Sequence, residues 1–229
     1  MTGFWEDPSP QSEPYELRVS SVAAADEGDG SYRIILRTSR GEIPGILHPC
    51  EGETGAVVFV SGASGGLDGP AGGLYALLGP DLVARGVTSF RLHYRQPGKF
   101  DECVLDVLGA VSFLKGIGAE RVALVGHSFG GAVVINAGQL AGIVAAVAAL
   151  ASQLHGTSQA ADLSPRPLLL IHGLDDQVLE AAASQIIYDR AREPRQLVLY
   201  PGSGHSLYEV RDELRELLTN WIPLHVGSS

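Results

Sequence analysis

A serine hydroxyl attacks a carbonyl carbon when an imidazole accepts its proton and a carboxylate orients that imidazole. This chain offers the three groups in that order. Ser128 sits in Gly126-His127-Ser128-Phe129-Gly130, a Gly-x-Ser-x-Gly run that follows the apolar stretch Arg121–Val125 and opens the helix-like run Ala132–Ala137. A sharp turn between a strand and a helix exposes a serine at its tip, and glycines on either side leave room for the backbone to fold back on itself. Asp175 and Asp176 follow the apolar run Leu168–Ile171 and the pair His172-Gly173. His205 follows Leu197–Tyr200 through a glycine-bounded loop, Gly202-Ser203-Gly204. The chemistry predicted for Ser128, one of the two carboxylates and His205 is acyl transfer through a covalent intermediate.

The elements that must position these groups are read from periodicity. Short, wholly apolar segments are predicted as strands at 56–60, 87–94, 121–126, 143–151, 167–172 and 196–200. Strands without polar alternation are buried on both faces, as in a parallel sheet. Helical segments at 72–85, 101–117, 129–141, 180–192 and 206–222 lie between them, which predicts right-handed crossovers. Pro80 is expected to divide the first helical segment into two short helices, standing at the first position of the second. In an open α/β sheet the functional groups collect at the carboxyl ends of the strands, and that rule brings the Ser128, Asp175/Asp176 and His205 loops to one rim.

Ahead of residue 55 the pattern changes. Tyr15–Ser21 and Ser31–His48 read as extended, with a turn at Asp26–Gly30 and a hairpin at Arg40-Gly41, so the chain opens with antiparallel strands. Residues 1–14, with three prolines, are expected to form a loose arm, and 15–229 one domain. The 153–166 connection has no room for a large cap.

Other candidates for the same chemistry are weaker. Gly62-Ala63-Ser64-Gly65-Gly66 repeats the serine pattern after a strand, but it runs on into Leu67-Asp68-Gly69-Pro70. That stretch is too rich in Gly and Pro to start a helix at once, and it reads as a Gly-rich loop. Among the seven histidines, His127 is expected to point away from Ser128 and His172 to hydrogen-bond within the core. His155 lies in the 153–166 loop, and His48, His93 and His225 read as structural or exposed.

With 45% apolar and 18% charged residues the 229-residue chain is globular, not disordered. A net charge of −10 argues against nucleic acid and anionic membrane as partners. The longest apolar run, 143–151, is too short to cross a bilayer. The first residues lack the basic start and apolar core of a secretory signal. Cys50 and Cys103 form no Cys-x-x-Cys pair and no zinc pattern, and a reduced, cytoplasmic protein is the simplest expectation. Neither a P-loop nor a dinucleotide fingerprint occurs, so no cofactor and no metal is expected.

Residues 55–222 resemble the α/β-hydrolase superfamily. Gly126-His127-Ser128-Phe129-Gly130, Ile171-His172-Gly173-Leu174-Asp175-Asp176-Gln177-Val178 and Gly202-Ser203-Gly204-His205 carry the resemblance. It implies a mostly parallel central sheet flanked by helices, in the capless plan of dienelactone-hydrolase-like and small serine esterase branches. The family's acid is the third residue after His-Gly, which implies Asp176. The family's oxyanion hole implies backbone N–H donors at Phe129 and Ala63. Ser61 stands where a histidine is usual, and Ser128 replaces the cysteine of dienelactone hydrolases. Loop position alone adds Ser64, Asp68, Tyr94, Gln153 and His155 as substrate-lining candidates. The expected activity is hydrolysis of small or flexible esters. Amide, peptide or thioester hydrolysis, or ligand binding without catalysis, are the alternatives.

Overall fold

The structure, a computed structural model, describes residues 16–227. The expected arm at 1–14 lies outside them. Nine strands form one sheet in the order β1-β2-β3-β5-β4-β6-β7-β8-β9. Val19–Asp26 (β1), Tyr32–Thr38 (β2) and Gly41–His48 (β3) are antiparallel, and β3 pairs antiparallel with Val87–Leu92 (β5). From β5 onward every pairing is parallel, through Gly55–Val60 (β4), Arg121–His127 (β6), Val144–Leu150 (β7), Leu168–Gly173 (β8) and Arg195–Tyr200 (β9). This is the α/β-hydrolase fold. The strands explain themselves: every residue of β4, β5 and β8 is buried, as a sheet covered on both faces requires.

Two helices, Pro70–Val83 (α1) and Arg211–Val226 (α5), cover one face. Phe100–Gly116 (α2), Phe129–Leu140 (α3) and Ala182–Arg190 (α4) cover the other. In α5 the buried residues Leu214, Leu218, Trp221 and Ile222 recur at helical spacing, so a single stripe packs on the sheet. The expected division of α1 at Pro80 is not found. The helix runs unbroken through Pro80, and its irregularity lies at Ala71, Gly72 and Gly73, with φ of 55°, 67° and 100°. Glycine tolerates positive φ, and Ala71 is held there by its N–H, which donates to the Ser206 carbonyl at 2.7 Å.

The crossovers leave β4 and β6 in opposite directions, so the loops after these two neighbours part and leave a crevice between them. Val60 pairs with Gly126, His127 with Leu150, and Gly173 with Tyr200. The segments carrying Ser128, Asp176 and His205 therefore leave the sheet at one rim. The 153–166 connection holds only a 3₁₀ turn at Ala160–Leu163. Among the described residues no helix is long and apolar enough to cross a membrane.

Candidate active site

Ser128 occupies the step between β6 and α3 with φ 58° and ψ −119°, a conformation that L-residues rarely adopt. The glycines make it possible. A Cβ on Gly126 would lie 2.1 Å from the Gly130 carbonyl oxygen, and one on Gly130 would lie 2.4 Å from the Ser61 carbonyl oxygen. The Ser128 N–H donates to Leu150 O at 2.8 Å, and its carbonyl accepts from the N–H groups of Gly131 at 3.0 Å and Gln153 at 3.3 Å. The strained residue is thus pinned by β7 and by the first turn of α3.

His205 Nε2 lies 3.0 Å from Ser128 Oγ, and His205 Nδ1 lies 2.7 Å from Asp176 Oδ2. Asp176 is buried, and all of its acceptor capacity is engaged. Its Oδ1 accepts the N–H groups of Val178 and Leu179 at 2.8 Å each, and its Oδ2 also receives His172 Nε2 at 3.1 Å. Burial alone would raise its pKa. Bonds from the Leu179 N–H, the His205 ring and the Val178 N–H outweigh burial and hold the carboxyl below its usual range. Asp175 is exposed and is held through its backbone, its N–H donating to Ser203 O at 3.0 Å and its carbonyl accepting from Gln177 Nε2 at 3.3 Å. Of the two adjacent carboxylates, Asp176 is the one that meets His205.

The loop carrying His205 is shaped by its neighbours. Gly173 lets it approach, since a Cβ there would sit 2.2 Å from the Ser203 carbonyl oxygen. Glu209 Oε2 accepts the Ser203 hydroxyl and the Gly204 N–H, each at 3.2 Å. His127 makes no hydrogen bond to Ser128 among the described contacts and supports the loop of His205 instead. Its Nε2 donates to the His205 carbonyl at 2.9 Å, and the two rings lie 4.9 Å apart. Burial pushes the His127 imidazole down to about 4, so it is neutral near pH 7. His172 and Ser184 are fully buried and joined at 2.7 Å through His172 Nδ1. The sequence signal that could have found His172's partner is its spacing of four residues from Asp176.

Ser128 and His205 open on a cleft of about 590 Å³. Its wall is the Gly-rich loop 61–72, with His127 and Ser206. Ala63, Ser64 and Asp68 all belong to it, and a Cβ on Gly62 would lie 3.6 Å from Ser128 Cβ. Asp68 Oδ1 accepts from Arg91 at 3.2 Å. Phe129 begins α3, where leading N–H groups have no intrahelical acceptor. Its ring packs edge-on against Tyr94 and Phe100.

Tyr94, Gln153 and His155 do not line this cleft. Tyr94 is buried in the core beneath α2 and α3, its hydroxyl donating to Ser61 O at 3.4 Å. The Gln153 side chain donates to the His155 carbonyl, His155 is exposed, and Gly156 sits against the Phe100 ring. The reason is a matter of faces. The cleft opens on the α1–α5 side of Ser128, and these three residues belong to the α2–α3 side. Sequence reading passed over Gly72 and Ser206, whose roles in the wall come from the contact between α1 and the loop after β9.

Among the described residues no group of three or more His, Cys, Asp or Glu is placed to hold a metal ion. Cys103 is buried, and burial pushes its thiol up to about 12, so it carries no thiolate near neutrality.

Known proteins share this arrangement of strands. The chain is 27% identical over 216 residues to the uncharacterized protein YfhR of Escherichia coli O157:H7, covering 79% of this chain and 74% of that protein. A dienelactone hydrolase from Anabaena variabilis superposes with a TM-score of 0.75 at 18% identity, covering 86% of this chain and 98% of that one. The esterase domain of a Rhodothermus marinus protein gives 0.69 at 21% identity, covering 86% and 100%. XC6422 of Xanthomonas campestris, an α/β serine hydrolase without lid, gives 0.68 at 16% identity, covering 85% and 96%. At these identities the structural likeness is one of fold. Residues 105–221, about half of the chain, match the profile of the phospholipase/carboxylesterase family. The chain belongs to that family of hydrolases.

Proposed function

We propose that this protein is a serine hydrolase, a carboxylesterase that cleaves small or flexible esters through an acyl-enzyme on Ser128. The observation that carries the reading is the unbroken hydrogen-bond chain from Ser128 Oγ through His205 to Asp176, at 3.0 and 2.7 Å. With the Nδ1 proton directed at Asp176, His205 Nε2 is left as the acceptor for the serine proton. Ser128 Oγ adds to the ester carbonyl carbon as that proton passes to Nε2. Asp176 stabilises the imidazolium. The backbone N–H groups of Ala63 and Phe129 stabilise the oxyanion, each contributing about 3 kcal/mol in the transition state. The imidazolium then protonates the departing alcohol. A water attacks the acyl-enzyme with His205 again as base, and Ser128 is regenerated.

The cleft bears on the substrate. Its wall is built from small residues, with Asp68 the acidic side chain among them, which suits a compact neutral ester better than an anionic one. In this reading the partner is a small-molecule ester, no cofactor is used, the hydrolase unit is a single domain, and the protein works in the cytoplasm. A fluorophosphonate probe tests the nucleophile. The expected result is one label per chain, on Ser128, and no label in Ser128→Ala, with p-nitrophenyl acetate turnover reduced by about 10⁴–10⁶. Turnover that survives Ser128→Ala refutes the assignment, and a panel of matched esters and anilides checks the bond cleaved.

A further inference from the structure

One buried pair of polar side chains plays no part in the chemistry above. His172, in β8, and Ser184, in α4, are both inaccessible to solvent. His172 Nε2 faces two acceptors, Asp176 Oδ2 at 3.1 Å and the Leu179 carbonyl at 3.0 Å. A nitrogen between two acceptors must carry the proton. With the ring's proton on Nε2, Nδ1 is an acceptor, and the Ser184 hydroxyl at 2.7 Å donates to it. The Leu179 carbonyl and Asp176 Oδ2 thus set the tautomer in which His172 donates to Asp176, and the Ser184 hydroxyl satisfies the nitrogen left as acceptor. The same Oδ2 also accepts from His205 Nδ1 at 2.7 Å.

We propose that His172, with its ring anchored at Nδ1 by Ser184, is a positioning residue that holds Asp176 Oδ2 in line with His205 and shares that oxygen with it. The proposal rests on the roles given above to Asp176, His205 and Ser128. The shared oxygen has a chemical consequence. A carboxylate oxygen that accepts two N–H bonds gives less to each, so His172 moderates the pull of Asp176 on His205. When His205 gains a proton in the reaction, its demand on Oδ2 rises. The Leu179 carbonyl can take over the His172 N–H at that moment, so no buried donor is orphaned. Oδ1, held by two backbone N–H groups, keeps the carboxylate from rotating.

The titratable and charged groups around His205 are Asp176 and His172 from the β8 side and His127 from β6. Glu209 is bound to the loop of His205, and Asp68, paired with Arg91, stands in the cleft wall. Replacing His172 changes one of these and leaves the others in place. His172→Phe removes the donor and fills the space. A carboxylate relieved of one donor accepts more strongly from its remaining partner, which favours the protonated ring. The acid limb of the kcat/KM profile is therefore expected to move up by about one pH unit. The plateau kcat should fall about tenfold through looser alignment, with KM within about twofold of wild type. The downfield proton resonance of the Asp176–His205 bond should move further downfield.

His172→Gln places an amide N–H near the former Nε2, and the expected outcome is recovery of the wild-type profile. Ser184→Ala should shift the acid limb in the same direction by a smaller amount, and it carries the test should His172→Phe not fold. An acid limb in His172→Phe or Ser184→Ala that overlays wild type overturns the proposal, as does His172→Gln behaving like His172→Phe. The proton resonance reports on this geometry independently of turnover. A wild-type protein that takes no fluorophosphonate label would refute the nucleophile, and an unshifted resonance would refute the role of His172.

Discussion

Replacing Asp176 by asparagine separates a catalytic carboxylate from a structural one, because every bond to it is defined. Oδ1 accepts two backbone N–H groups, and Oδ2 accepts from His205 and His172. An asparagine has one acceptor oxygen and one NH₂ donor. With its oxygen toward Val178 and Leu179, its NH₂ confronts two ring N–H donors. In the opposite orientation it confronts two backbone N–H donors that have no alternative tautomer. The first arrangement costs less, since His205 can shift its proton from Nδ1 to Nε2. That shift directs an N–H at Ser128 Oγ and removes the base. Inversion of this tautomer is expected to lower kcat about 10⁴-fold, equivalent to about 5.5 kcal/mol of activation free energy. The assay is steady-state hydrolysis of p-nitrophenyl acetate by Asp176→Asn and Asp175→Asn, with far-UV circular dichroism as the check on folding. Asp175→Asn changes an exposed side chain and should stay within about twofold of wild type. A folded Asp176→Asn that retains more than about a tenth of wild-type kcat, or an equal loss in Asp175→Asn, refutes the assignment.

Gly130→Ala places a methyl group 2.4 Å from the Ser61 carbonyl oxygen and 3.0 Å from that of Val60, backbone atoms at the end of β4 and just beyond it. It should destabilise the fold by about 3 kcal/mol or more, seen as a lowered Tm, and a Tm equal to wild type would contradict the close approach. His127 is neutral in the folded protein, with a pKa of about 4, against about 6.5 when exposed. A depressed folded pKa means that the unfolded chain binds more protons between these values. Stability is therefore full above pH 6.5 and is lost as pH falls toward 4, by at most about 3 kcal/mol. Urea unfolding at pH 7 and pH 4.5 measures it, and His127→Gln should flatten the difference; an unchanged slope in that variant would assign the loss to other groups.

Much of the architecture was legible because its signals are local. β4 and β8 read as buried strands since each is apolar throughout, and the two glycines around Ser128 announce a turn that only small residues allow. The run Ala71–Gly73 was harder. Pro80 is the conspicuous helix breaker, yet a proline late in a short helix forfeits a single backbone bond, and the positive φ values upstream depend on the contact with Ser206. Tyr94, Gln153 and His155 lie in loops that leave β5 and β7 at the rim, but the course of each loop decides which face of the sheet they join. A strand end announces proximity to the rim and says nothing of the side.

The sequence by itself determined the strand–turn–helix carrying Ser128, the Ser-Asp-His order and the parallel core, since each depends on neighbours in the chain and on the periods of helix and strand. Spacing left Asp175 and Asp176 open and the family resemblance pointed to Asp176, but only the tertiary structure brings Asp176 to His205, makes His127 and His172 partners of the rim loops, and opens the cleft on the α1–α5 side. Those outcomes depend on the packing of segments tens of residues apart, where a direction change at one residue or a choice of sheet face redirects a side chain completely.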